Sequence, residues 1–267
     1  MTLEFVEGQV DAMKKLQLFI IFSIIFLCCV SCAKYQKQQA APVVNSYTFP
    51  AFNKVAISGN ARVELTNNGG RTSLYCSGIK RDLDGVNASV KGDTLYLSSA
   101  SNVPIIRLNS GNLKVVKVMG NAYVGANNFN TRSLGIIASG AGSITLQGRI
   151  GLTTINQMGS GKVDVKWIDS SKLVVGSDSR GPIYLAGVVK QLEVKLRDQS
   201  YLEARYLRAE TAEVLATNRS QAHVVAIKTL NAYADESSNV YYHNHPQQIN
   251  EVSKDSGNVF LMEEVLR

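Results

Sequence analysis

The side chains able to do chemistry are few in this chain and stand far apart. Its three histidines are His223, His243 and His245. The last two lie two residues apart in YYHNHP. A strand would turn both to one face, as the start of a metal site requires. No acid or cysteine nearby in sequence completes such a site, so the pair reads as a solvated loop near the C-terminal end. Asp178, Asp198 and Asp235 fall at similar turn positions, where carboxylates of neighbouring repeats could share calcium. The glycine-rich nonapeptide pattern of calcium-binding solenoids is not among them. Arg180, Arg197, Arg205 and Arg219 could abstract a proton in a polysaccharide-lyase-like enzyme, a reaction that also needs clustered acids. The sequence sets no carboxylate cluster beside any of them. No Ser-His-Asp set or phosphate-binding loop suggests itself. The sequence therefore predicts a non-catalytic protein, with no metal and no cofactor.

Recognition is the other chemistry open to this chain. Tyr123, Tyr184, Tyr201 and Tyr241 each flank an apolar residue expected to point inward, so each should point outward. With Lys162, Glu203 and His223 beside them, they would make a flat face of rings and polar groups. Such a face suits glycans or another protein. Tyrosine is also common in strands for packing reasons alone.

A repeat must position these residues. Val124, Ile144, Val163, Ile183, Leu202, Val224 and Val240 align as the first inward residue of successive units, at spacings of 20, 19, 20, 19, 22 and 16. Two residues before them stand Ala122, Gly142, Gly161, Gly181, Ser200, Ala222 and Ser238, all small. A second apolar group follows about ten residues on, at Leu134, Leu173 and Leu192. Each unit thus reads as two short strands and two turns. A period near 20 built only of short strands marks a β-solenoid, whose coils share one core because none can bury its apolar face alone. Stacked corners bring like positions together, which explains the small column.

The fold class is all-β: a single-domain parallel β-solenoid of about 20 residues per coil. The handedness rule for parallel crossovers makes it right-handed. Counting from Tyr47 to Phe260 predicts ten or eleven coils. YLEARYLRAETAEVLA (Tyr201 to Ala216) has helical propensity, but the repeat register makes it a strand. Upstream, KVAISG, ARVELT, TSLYCSG, VNASVKG and DTLYLSS alternate as strands, with a tight turn at KGDT. SYTFPAF and HNHPQQINEVSKDSGNVFLMEEV lie off the register and read as end caps.

The N-terminus has another purpose. Met13-Lys14-Lys15 precedes an apolar run from Leu16 to about Val30, which is short for a membrane span and has the anatomy of a signal peptide. Glu4, Glu7 and Asp11 sit badly ahead of such a signal, so translation is expected to start at Met13. The boundaries follow: 1–32 signal peptide, 33–46 flexible tether, 47–260 solenoid, 261–267 tail. After loss of 1–32 the chain keeps 26 Lys and Arg against 18 Asp and Glu. That balance favours acidic surfaces such as lipopolysaccharide, anionic glycans or membrane headgroups. The cations are scattered along the sequence without a cluster, and export argues against a nucleic-acid partner. Cys76 is then the one cysteine left in the domain, most simply a buried small hydrophobe.

CVSC, ending at Cys32, resembles the lipobox of bacterial lipoproteins. Val30 and Ser31 fit it, and Cys29 stands where leucine is usual. The resemblance implies a diacylglyceryl thioether on Cys32 and anchorage in the outer membrane. The domain itself resembles the auto-transporter adhesin head GIN domain family. The motifs are FPAFNKVAISGNARVELTNNGG with VNASVKGDTLYLSS, then GNAYV, SGAGSITLQG and MGSGKVDVKW, and finally SSNVYYHNHPQQINEVSKDSGNV. They run from about Phe49 to Val259. Membership would imply a parallel β-solenoid, a cell-envelope location and an adhesive role toward surface glycans or envelope and host proteins. It supplies no catalytic residues. An envelope scaffold polymerising end to end is the alternative, against which polar end caps would speak.

Overall fold

The computed structural model of this chain describes residues 43–67, 72–102 and 104–262. The expected signal peptide, Met13, Cys32 and most of the expected tether and tail lie outside the described residues.

The sequence alternation is realised first as short strands. β1 (Val43–Tyr47), β2 (Lys54–Gly59), β3 (Arg62–Thr66) and β4 (Ser73–Gly78) precede a one-turn helix, α1 (Lys80–Leu83). β5 (Val86–Lys91), β6 (Thr94–Ser99), β7 (Ile105–Asn109), β8 (Val115–Gly120), β9 (Tyr123–Ala126) and β10 (Thr131–Gly140) follow. The strands then lengthen to whole coils: β11 (Ser143–Gln157), β12 (Val163–Ser177), β13 (Pro182–Leu196), β14 (Tyr201–Ala216) and β15 (Gln221–Ala234). β16 (Asn239–Tyr242), β17 (Gln248–Ser253) and β18 (Asn258–Leu261) complete the described chain. The segment of helical propensity is β14, because its Leu202, Leu207, Ala212 and Val214 are buried in the common core.

All the strands hydrogen-bond into one sheet wound on itself. Stacked parallel coils make about seven turns roughly 20 residues apart. The coils of β11 to β15 each hold one long bent strand where the sequence suggested two short strands and two turns. In β11 the pairing slips between Gln147 and Ile150 and again before Thr154, dividing the strand into three straight segments. These segments form three walls around the core: 143–147, 150–152 and 154–157 in this coil, and their counterparts in the others.

One buried ladder runs along the first wall: Ile106, Val63, Val124, Ile144, Val163, Ile183, Leu202, Ala222 and Val240. Val224 is not in it; it pairs with Tyr242, and Ala222 takes the rung between Leu202 and Val240. Both residues face inward two apart, so alternation alone could not choose between them. The small position two residues earlier is then Ser220, buried like Ser200 and Ser238. The reason for smallness holds at atomic level. A Cβ on Gly161 would lie 1.7 Å from the Gly142 carbonyl oxygen, and one on Gly142 2.3 Å from that of Ala122.

The corner changes type along the stack. From Arg197 onward it is a tight turn closed by the amide of Ser200, Ser220, Ser238 or Gly257 donating to the carbonyl of Arg197, Thr217, Asp235 or Lys254. The two central residues have positive φ each time: Asp198 and Gln199, Asn218 and Arg219, Glu236 and Ser237, Asp255 and Ser256. These are stacked type I′ turns, in which Asn and Asp are at home and Gln and Arg are not.

The N-terminal coils depart from the simple count. β2 pairs in parallel with both β6 and β8, and β3 with both β7 and β9. The level formed first in sequence therefore lies between two formed later. β4 runs antiparallel to β7, β5 to β6, and β1 to β4. The expected ten or eleven coils reduce to about seven, because hairpins such as the one at Gly92 use chain that the count assigned to coils. β1 also begins at Val43, earlier than the expected Tyr47, because it covers the free edge of β4. The C-terminal segment is not an off-register cap. β17 pairs in parallel with β15, and β18 with β16, continuing the stack. Cys76 is buried, and burial pushes its thiol up to about 11.

Candidate functional site

Inward residues of the first wall fix which neighbours face out. One outward row runs in register through Asp164, Tyr184, Glu203, His223, Tyr241 and Phe260. Tyr201, on the adjacent row, leans into it. The rings touch in sequence: Tyr184 to Tyr201 at 6.3 Å between centroids, Tyr201 to His223 at 5.8 Å, His223 to Tyr241 at 4.6 Å and Tyr241 to Phe260 at 5.5 Å. Coil spacing near 4.8 Å is what allows rings on successive coils to stack.

The sequence proposed Tyr123, Tyr184, Tyr201 and Tyr241 for this face. The last three are brought together. Tyr123 is on the same wall but apart, with coils carrying Ser143, Thr145 and Lys162 intervening, and its ring lies under the Arg62 guanidinium. Lys162 reaches toward the Tyr184 ring and pairs with Asp164 at 3.4 Å.

Glu203 is the buried acid of the row. Its carboxylate accepts from Arg205 Nε at 2.8 Å and from Arg205 Nη2 at 2.6 Å. The Tyr201 hydroxyl donates to it at 3.2 Å. Burial works to raise the Glu203 pKa, but the Arg205 hydrogen bonds outweigh it and hold the carboxyl below its usual range. Burial raises the Tyr201 phenol, helped by the neighbouring carboxylate. His223 is held below the usual histidine range chiefly by desolvation.

Of the two histidines expected in a solvated loop, His245 is exposed and His243 is not. β16 ends at Tyr242, and the chain turns, so His245 is exposed while His243 Nε2 stands 3.0 Å from His223 Nδ1. Among the described residues no three His, Cys, Asp or Glu side chains gather as a metal site would need. Asp178 pairs with Arg197 at 3.6 Å, Asp198 accepts from the Asn218 amide, and Asp235 accepts from the Tyr233 hydroxyl at 2.8 Å. Each of these acids is occupied, Asp178 and Asp198 by a residue of the next coil and Asp235 by its own.

Of the exposed rings that the sequence did not single out, two sit at the first corner. Tyr206 is 72% exposed and helps line a groove of about 340 Å³ with Asp164, Lys166, Tyr184 and Arg205. Trp167 is 61% exposed and has φ 64° at the first corner, where other coils use Gly148 and Gly187. A bulky residue with such a φ is strained. Neither follows the two-residue alternation, because both sit at the bend. The signal was that Trp167 is the one tryptophan of the chain.

Comparison with known proteins agrees with this architecture. A family model described as putative auto-transporter adhesin, head GIN domain, matches residues 51–246. Among solved structures, a putative lipid binding protein from Parabacteroides distasonis superposes with a TM-score of 0.72 at 19% identity, covering 83% of this chain and 97% of that one. A putative adhesin from Parabacteroides merdae gives 0.71 at 17% identity, covering 83% and 96%. A putative adhesin from Bacteroides fragilis gives 0.62 at 20% identity, covering 83% and 97%. At these identities the likeness is one of fold. None of the curated proteins matches the chain.

Proposed function

We propose, from the premise that this chain belongs to the putative auto-transporter adhesin, head GIN domain family, that it is an exported, non-catalytic adhesin that binds surface glycans or envelope and host proteins through its first wall. The unbroken row of rings from Tyr184 to Phe260 carries this reading. Rings backed by a rigid sheet offer apolar area at little entropic expense, and the polar groups between them supply direction. A glycan array probed with the mature chain and with a Tyr184→Ser, Tyr201→Ser, Tyr241→Ser variant tests it. Binding lost in a variant that keeps its β-sheet circular dichroism supports the reading. Unchanged binding overturns it.

The lipid anchor on Cys32 belongs to the same proposal. Cys32→Ala should abolish incorporation of labelled palmitate and release the chain from the membrane fraction. Retention of both in the variant would refute lipidation.

A second reading, an end-to-end scaffold, draws on the last coil. β17 and β18 continue the parallel register and leave Ile249, Val252 and Phe260 exposed. Size-exclusion chromatography separates the two, since a scaffold elutes as growing filaments and a monodisperse monomer fits the adhesin.

A further inference from the structure

The second wall carries a feature unrelated to the aromatic row. Two grooves, of about 790 and 550 Å³, lie along it and meet at Asp169, giving a trough lined by residues of successive coils. Six cations line the trough: Lys114, Arg132 and Arg149 in the first part, Lys190, Arg208 and Lys228 in the second. All six side chains are exposed. Only Asp169 and Glu210 oppose them there. Asp169 is taken by Arg149 at 3.0 Å and Glu210 by Lys228 at 2.7 Å. Among the described residues, Lys114, Arg132, Lys190 and Arg208 have no carboxylate within ion-pairing distance.

These cations are scattered in sequence and gathered only by winding. Folding that gathers six cations around two carboxylates leaves an excess of positive charge that opposes stability, so such a trough is expected to meet an anion. Its shape narrows the choice. A trough presents its charge in a recess, which a flat bilayer surface cannot enter and an extended chain can. Gly151, on the floor, lets the coils approach closely: a Cβ there would lie 2.1 Å from the Arg132 carbonyl oxygen. Ser171 offers a hydroxyl, that of Ser170 donating to the Leu152 carbonyl at 2.8 Å, and the exposed Val188 and Ile227 offer apolar area. A hydroxyl, small apolar patches and a repeated positive charge together suit a sugar polymer bearing carboxylates or sulfates.

We infer that the second wall is a binding trough for an acidic polysaccharide lying across the coils. It goes beyond the aromatic-face reading and stands or falls separately from it. The probes are polygalacturonate and sulfated dextran, with neutral dextran as control, titrated against the mature chain in low salt. Binding to at least one acidic polymer and not to neutral dextran is expected, weakening as sodium chloride rises from about 0.05 to about 0.5 M. Arg132→Gln, Lys190→Gln, Arg208→Gln together should lower affinity about tenfold, each lost contact contributing a fraction of that. A charge-matched variant elsewhere, Lys91→Gln, Arg180→Gln, Lys254→Gln, should stay within about twofold. Circular dichroism checks that both variants are folded. The inference fails if neither acidic polymer binds, or if both triple variants lose affinity equally. It also fails if vesicles containing phosphatidylglycerol bind more tightly than the polymers through the same three cations.

Discussion

The Nδ1 of His223 and the Nε2 of His243 stand 3.0 Å apart on neighbouring coils, inside an aromatic stack. One of the two must donate and the other accept, which requires at least one neutral ring. Desolvation lowers the His223 pKa; the Glu203 carboxylate works against this, and His243 and Arg205 work with it.

A pH dependence follows from that pair. A histidine whose pKa falls on folding binds fewer protons in the native state than in the unfolded chain. Its contribution is complete above the unfolded value near 6.5 and is lost as pH falls toward the lower folded value. Melting temperature should drop by about 2–4 °C between pH 7.5 and 5.5. A His223→Gln, His243→Gln variant should show a smaller drop over the same range, measured by differential scanning calorimetry. An equal drop would assign the effect elsewhere.

The Glu203–Arg205 pair predicts an asymmetry between single and double variants. Arg205→Met strands a buried carboxylate and should destabilise by about 2 kcal/mol, less than a fully buried pair because Arg205 is partly in water. Adding Glu203→Gln should recover part of the loss. Since the folded Glu203 pKa is lowered, the pair's contribution is complete above about pH 4.3 and disappears as pH falls through the folded value. Urea denaturation at pH 7 and pH 3 reads both effects.

The small column makes a sharper prediction. Gly161→Ala places a methyl group where the Gly142 carbonyl oxygen already stands and should destabilise by about 3 kcal/mol. Gly111→Ala meets nothing within 4 Å and has an ordinary φ, so it should be neutral or slightly stabilising. Chemical denaturation of the two variants side by side checks the contrast.

That column, and the ladder beside it, were legible because they depend on one-dimensional spacing. Val124, Ile144, Val163, Ile183 and Leu202 recur at nearly constant intervals, and the structure stacks them in that order. The rung at Ala222 was missed because Val224 also faces the core. The N-terminal levels were not legible, because hairpin pairing of β5 with β6 leaves the same alternation as a coil would. Of the aromatic face, Tyr184, Tyr201 and Tyr241 could be read from their flanking positions, whereas Tyr206 and Trp167 sit where alternation stops. The cations of the trough were visible only as scatter, since coil register brings them together and a linear reading does not.

The type I′ corners offer a gain of stability. Arg219 holds φ 61°, a conformation that a side chain disfavours and glycine accepts. Arg219→Gly should stabilise by up to about 1 kcal/mol, offset in part by the greater freedom of glycine in the unfolded chain. Arg219→Val should destabilise. Thermal melts of the three proteins rank them.

The interleaving of β2 and β3 between later strands bears on the order of assembly. A chain emerging from its N-terminus makes β2 and β3 early, yet their second neighbours, β8 and β9, arrive about 60 residues later. Closing that distance is entropically slower than closing the loop of a 20-residue coil. The regular coils from β10 onward are therefore the natural nucleus, and the end nearest the N-terminus is the last to lock. A chain crossing a membrane N-terminus first would hold this end open until its middle had arrived.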